Sequence, residues 1–481
     1  MGDQFAYLDA TGQAELIRKG DTIPLELVDA AIARIEKLNP QLNAVIHPLF
    51  DKARTQAQAA DLPDGPFRGV PFVMKDLLGG PAGEPLHHGM QFLKRLNFTS
   101  SQDTYLSVKF REAGFISVGR TNTPEWGLMG TTEPAAYGPT HNPWNLDHSP
   151  GGSSGGSSAS VAARIVAVGH GGDGGGSLRI PASMCGIIGL KPSRGRTSFG
   201  PGMGECWHGL ANEGVMTLSV RDIAGVLDIM RGLMPGDPYS APTPERPYTE
   251  EAGRDPGTLR IGLMLQKPRK DAPLHSECKI AVEGAGKLLE SLGHTVEIAH
   301  PEAYDETEWI QHFCHVINAH SALTADDVEA GTGQRIGEGD IEPYAWRFVE
   351  EGRKISATSY LSSMNWLHAW ARRMASWWAD GFDLLVTPTL GEPPPRLGDM
   401  GGPTKDTLAK WERNLDVIPF TPANNITGQP ALSLPLHWTP DGLPVGVHFV
   451  PAYGQEDLLL RIASQIEQAQ PWIDKRPPVC A

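Results

Sequence analysis

The sequence predicts an α/β fold, in which short buried strands alternate with amphipathic helices. Three groups of residues carry that expectation. "LRIGLML" (259–265), the helical "CKIAVEGAGKLLESLG" (278–293) and "HTVEIA" (294–299) read as a strand–helix–strand unit. "RGVPFVMKDLL" (68–78) reads as a short buried strand running into a loop, and "REAGFISVGRTN" (111–122) ends one helix at Gly114 and opens another strand. "FDLLVTPT" (382–389) and "PVGVHFVPA" (444–452) supply two more strands.

Taken in order, the first clear element is a helix. "IPLELVDAAIARIEKL" (23–38) places Leu27, Val28, Ala31, Ile32, Ile35 and Leu38 at helical spacing, with Pro24 suited to the first helical position. The helix is expected to stop near Asn39-Pro40, because proline removes a backbone donor. Residues 235–258, rich in Pro, Gly and charge, read as a connector. From 300 to 375 the pattern turns helical and carries Trp309, Trp346, Trp366, Trp370, Trp377 and Trp378, most of them expected in the core.

Whole-chain properties narrow the function. At 481 residues, length alone suggests about three domains, a prior that large enzymes often break. An apolar content of 40% is ample for a substantial core. A net charge of −15 without any Lys/Arg block makes nucleic acid and anionic membranes poor partners. No apolar run approaches the ~18 residues of a membrane span. The opening "MGDQFAYLDATGQAEL" lacks the pattern of a signal peptide, and Gly2 does not begin a myristoylation motif because Ala6 stands where Ser or Thr is needed. Five scattered cysteines without a C-x-x-C favour a reducing cytoplasm over a disulfide framework. No H-E-x-x-H is present, and His87-His88 reads as surface or loop, so no metal is expected.

The chemistry concentrates in "PGGSSGGSS" (150–158) and "GHGGDGGGSLRIP" (169–181). Gly151–Gly155 fits the nucleophile-elbow pattern G-x-S-x-G, but Pro143 and Pro150 exclude the central strand that an elbow requires before its serine. A flexible linker is the plain alternative. Gly169–Gly174 fits the dinucleotide pattern G-x-G-x-x-G, yet Ile180 and Pro181 argue against a helix opening there, and the next acid after Asp173 is Glu205. A third reading makes His170 the base for Ser177.

Residues 151–198, "GGSSGGSSASVAARIVAVGHGGDGGGSLRIPASMCGIIGLKPSRGRTS", resemble the defining stretch of the amidase signature family. The likeness extends to "GVPFVMKDLL" and "GRTNTPEWG" upstream and to "GQPALSLPL" and "GLPVGVHFV" downstream, nearly the whole chain. It implies a large central mixed β-sheet covered by helices on both sides. One amidase-signature domain would span 1–481, with a catalytic core at about 60–235 and 380–470 and a more variable, pocket-forming helical region at about 300–375.

Carried over residue by residue, the resemblance makes Ser177 the nucleophile, Ser153 a bridging proton shuttle behind a cis Gly152–Ser153 peptide, and Lys75 the base. That assignment suits the residue types. A serine hydroxyl attacks poorly until something removes its proton, and a lysine does so only when burial favours its neutral form. The apolar "GVPFVM" before Lys75 offers such a setting. Backbone N–H groups of Gly174, Gly175, Gly176 and Ser177 would converge as an oxyanion hole. Asp173 and Arg179 are expected to pair and hold that loop, while Ser154 bonds locally. The family's threonines beside the aspartate are replaced by Gly172 and Gly174, which predicts a looser or roomier loop.

The resemblance implies an amide hydrolase without cofactor or metal, acting on a small-molecule amide and with a homodimer as candidate assembly. Its pocket is expected from residues 126–132, 200–208 and around Cys314, with Leu128, Met129 and Gly130 touching substrate and Cys314 either touching it too or serving as a small buried apolar residue. Within the family, "TTEPAAYGPTHNPWNL", "AYGQEDLLL" and "PWIDKRP" are similar to the branch that degrades nylon oligomers, so aliphatic oligoamides such as the cyclic dimer of 6-aminohexanoate are the expected substrates. Aryl amides, fatty amides and carbamates are the alternative. A glutamine-hydrolysing amidotransferase subunit fits less well, since Ile180 replaces the glutamine that follows the family's arginine there. A binding homologue without turnover is the remaining class, and the intact serine–lysine set speaks against it.

Overall fold

The computed structural model describes residues 4–269, 272–402, 404 and 406–481; Gly2 lies outside them. Eleven strands form one sheet: Val45–Pro48 (β1), Pro71–Lys75 (β2), Ile116–Thr121 (β3), Val168–Asp173 (β4), Ile188–Lys191 (β5), Asn212–Thr217 (β6), Arg260–Leu263 (β7), Thr295–Ile298 (β8), Leu384–Pro388 (β9), Ala431–Trp438 (β10) and Pro444–Pro451 (β11). Their order is β1-β3-β2-β4-β6-β5-β10-β11-β9-β7-β8. The sheet is mixed. β2 runs parallel to β3 and β4, and β7 parallel to β8 and β9, whereas β4-β6-β5-β10-β11-β9 pair antiparallel.

Every residue of β2, β3, β4, β6, β9 and β11 is buried, because helices cover both faces of the sheet. The edges differ: β8 exposes Thr295, Glu297 and Ile298. The strand–helix–strand unit expected at 259–299 is present as β7, the helix Ser276–Ser291 and β8, with β7 and β8 side by side.

Two expectations change. The helix expected at 23–38 runs Pro24–Leu42, through Pro40, and follows a shorter helix at Ala10–Lys19 that the pattern did not announce. Pro40 lies in the last turn on an exposed face, where the carbonyl it leaves unpaired can meet water. The helix stops instead at Asn43, at φ 48°, while the Asn39 side chain accepts from the N–H groups of Ala44 and Val45 at 2.8 Å. β4 was hidden behind its glycines, since "VGHGGD" has no run of branched residues.

The connector at 235–258 holds a single short 3₁₀ turn, Tyr248–Glu250. The region from 300 to 375 folds into the helices Trp309–Thr332, Pro343–Arg353 and Ala357–Ala379. Their aromatic side chains, among them the fully buried Trp309 and Trp370, build a second core beside the main one. Between the second core and the C-terminal ends of β2 and β4 lies a cavity of about 530 Å³. Among the described residues no helix is long and apolar enough to cross a membrane.

Candidate active site

The cavity floor is built by three sequence segments. β2 delivers Lys75 at its last residue, flanked by β3 and β4. The loop carrying Ser153 leads into the fully buried helix Gly155–Ala162. That helix packs against the sheet so closely that a Cβ on Gly156 would lie 2.5 Å from the Asn122 nitrogen, so the glycine–serine run is a buried junction and no linker. Ser157 secures the junction, sharing a 2.7 Å hydrogen bond with Thr121 and donating another of 2.7 Å to the His170 carbonyl. The Gly152–Ser153 peptide is cis.

Lys75 Nζ lies 2.6 Å from Ser153 Oγ. Lys75 is fully buried, Ser153 is 2% exposed and Ser177 is 8% exposed, so access from the cavity is greatest at the predicted nucleophile. All three line the same cavity. Burial pushes the Lys75 amine down to about 7, against the opposing pull of the Asp173 and Glu213 carboxylates.

The loop between β4 and the helix Arg179–Cys185 is held by Asp173. Its carboxylate accepts the Gly176 N–H at 2.8 Å and both arms of the Arg179 fork at 2.8 and 2.9 Å. Burial alone would raise this carboxyl; Arg179 outweighs it and holds it at about 2. Two residues that sequence reasoning missed complete the frame. Asn425 Nδ2 donates to the Asp173 carbonyl at 2.8 Å, and Thr421 Oγ1 donates to the Gly175 carbonyl at 2.7 Å. They lie some 250 positions downstream, where only the folded sheet brings them near. Arg179→Ala would leave the Asp173 carboxylate buried and unpaired, and an expected loss of about 3–5 kcal/mol should be read from the urea midpoint.

This frame revises the expected oxyanion hole. The Gly176 N–H is engaged by Asp173, and its φ of +130° turns the peptide that way. Among the described residues no acceptor meets the N–H groups of Gly174, Gly175 and Ser177, which leaves those three free to meet an acceptor in the cavity. The loop is not roomier for lacking threonines. A Cβ on Gly174 would lie 2.8 Å from the Trp207 ring, and one on Gly172 would lie 2.7 Å from Leu78 Cδ1.

The other candidates separate cleanly. His170 faces Glu213 at 3.2 Å and does not line the cavity, so it offers no base to Ser177. Ser154 bonds the Gly172 carbonyl at 3.3 Å. His87-His88 lies in a loop, as one of the two expectations had it, but not at the surface: His87 is buried, its backbone N–H donating to Asp76 Oδ1 at 2.9 Å, and His88 reaches the cavity. Leu128, Met129 and Gly130 line the cavity. Cys314 does not; its sulfur accepts a hydrogen bond from Trp411, which does line it. The opposite wall is the helix Trp309–Thr332, beginning with Phe313 and Ile317, positions that no sequence motif marked.

Comparison with known proteins agrees with this architecture. A family model described as Amidase matches residues 26–460. The chain belongs to the amidase family. It is 41% identical over 478 residues to a 6-aminohexanoate-cyclic-dimer hydrolase of Paenarthrobacter ureafaciens, covering 98% of this chain and 96% of that one. A solved structure of 6-aminohexanoate cyclic dimer hydrolase superposes with a TM-score of 0.95 at 40% identity, covering 98% of this chain and 99% of the other. A bacterial aryl acylamidase of the amidase signature family gives a TM-score of 0.86 at 28% identity, with 97% of each chain covered.

Proposed function

We propose that the chain is a serine amidohydrolase that cleaves aliphatic oligoamides, the cyclic dimer of 6-aminohexanoate among them, through an acyl-enzyme on Ser177. One observation carries the reading: a fully buried lysine, its amine lowered to about 7, touches Ser153 at 2.6 Å on the floor of a cavity that also exposes Ser177. In this reading neutral Lys75 takes the Ser153 proton, and Ser153 takes that of Ser177 as its oxygen attacks the amide carbon. The tetrahedral oxyanion is met by the N–H groups of Gly174, Gly175 and Ser177. The C–N bond breaks as the proton returns along the same path to the leaving amine, and water then repeats the attack on the ester.

The apolar wall of Leu128, Met129, Phe313 and Ile317 favours polymethylene chains. The likeness to the cyclic-dimer hydrolase supports the substrate class. Five free cysteines support a reducing, cytoplasmic setting. Purified protein assayed against cyclic and linear oligoamides, anilides and carbamates tests the reading, with aliphatic oligoamides expected to give the highest kcat/KM. Anilides or carbamates turned over faster would move the substrate class. Among the described residues no group of three His, Cys, Asp or Glu is placed to hold a metal, and activity is expected to survive exhaustive chelation. Loss on chelation with recovery on adding zinc would overturn the mechanism.

A further inference from the structure

The helix Trp309–Thr332 turns one face to the cavity, and that face changes character along its length. Phe313, Ile317, Ser321, Thr324 and Val328 recur at three- and four-residue spacing and so stack on one side, with Asp327 beside them. The N-terminal end is apolar and lies at the reacting loop, since a Cβ on Gly175 would sit 3.3 Å from Phe313 Cζ. At a rise of about 1.5 Å per residue, Ser321 stands about 12 Å and Asp327 about 21 Å further along the axis.

Ser321 differs from the other hydroxyls of this helix. Thr324 donates to the His320 carbonyl at 2.8 Å and Thr332 to the Val328 carbonyl at 2.7 Å, the usual local use of a helical hydroxyl. Ser321 is 3% exposed, lines the cavity and has no hydrogen-bond partner among the described residues. A buried hydroxyl left unpaired in a ligand cavity calls for a partner from the ligand.

Asp327 is exposed at the far end and forms no ion pair among the described residues, whereas its neighbour Asp326 pairs with Arg353 at 3.4 Å. Among the described residues the only other carboxylate lining the cavity, Asp173, is spent on Arg179, and Lys75 is the sole lysine or arginine in the lining. The last turn of the helix carries no basic residue, so its carbonyl end adds partial negative charge. The net charge of −15 draws cations in the same sense.

We propose that Ser321 and Asp327 form a second binding site for the remote part of an amine-terminated linear oligoamide: Ser321 Oγ bonds a second amide of the chain, and Asp327 pairs with its terminal ammonium. The spacing fits that ligand. Ser321 and Asp327 are about 9 Å apart along the axis, and a six-carbon amino-acid unit extends about 8 Å from one nitrogen to the next at roughly 1.2 Å per bond. This proposal rests on the amide-hydrolase reading and adds to it a preference for a charged chain end.

The test compares the linear trimer of 6-aminohexanoate, amino end free or acetylated, with hexanamide as a short reference. In the wild type the free amine is expected to give a KM lower by about fivefold, the upper range of an exposed ion pair. Asp327→Asn should bring the two KM values together. Ser321→Ala should raise both by about fivefold, with kcat held, because a hydrogen bond to the bound chain is lost while the reacting centre is untouched. A wild type that hydrolyses hexanamide but shows equal KM for free and acetylated trimers overturns this proposal alone. So does a preference that persists in Asp327→Asn. A wild type inert on hexanamide and on both trimers overturns the hydrolase reading itself.

Discussion

Ser177→Ala is expected to lower kcat by about 10⁶-fold, the scale of loss when a serine hydrolase is stripped of its nucleophile. The residue sits where the glycine loop opens on the cavity, and it is the most accessible of the three polar side chains on the floor. Its neighbours should not notice the change. The loop is held through Asp173, Arg179, Asn425 and Thr421, none of which bonds the Ser177 side chain. The variant should therefore unfold at the wild-type urea midpoint while losing covalent labelling by a fluorophosphonate. Peptide mapping of labelled wild type should find the adduct on Ser177; an adduct on Ser153 or Ser154 would reassign the nucleophile.

The second large effect belongs to Lys75. Its amine lies at about 7, so the neutral base predominates above that pH and the ammonium below it. On the acid side kcat/KM should fall tenfold per pH unit beneath about 7, a limb set by this one group. Lys75→Ala is expected to cost about 10²–10⁴-fold, the usual worth of a positioned base, and to flatten that limb. Lys75→Arg should do no better, since a guanidinium stays protonated. An unchanged acid limb at near-normal rate in Lys75→Ala would remove the lysine from the mechanism. Stability carries the same signature. Between about pH 7 and the reference value of 10.5 the unfolded chain holds a proton on this lysine that the folded chain does not, so stability rises with pH through that window.

How much of this was legible in the sequence depends on the range of the interaction. The unit at 259–299 could be read because each element declares itself locally, by branched residues in the strands and helical spacing between them. Lys75, Ser153 and Ser177 could be named through the family resemblance, which ties together three distant segments that no single motif connects. β4 could not be read, because what makes "VGHGGD" a strand is the partner β6 across the sheet and the close approach of the helix Gly155–Ala162. The oxyanion loop could be placed but not resolved: that Gly176 is spent on Asp173 follows from a peptide orientation, which a run of glycines leaves free. Phe313 and Ile317 carried no motif, and Cys314 beside them could be read as a buried apolar residue or as a contact. A one-residue step around a helix decides which of them faces the cavity, and only the packed neighbours fix that rotation.

The indole of Trp207 resting on Gly174 has a consequence for how this site can change over generations. Ring and missing side chain occupy the same space, since a Cβ at 174 would come within 2.8 Å of the ring. A threonine at 174 is admissible only once position 207 has shrunk or swung away, and losing the indole first opens a gap over the loop that should hold the oxyanion. Each substitution alone is expected to disturb the loop, and the effects of the two are expected not to add, because ring and side chain compete for one space. Positions 174 and 207 are therefore expected to change together over generations.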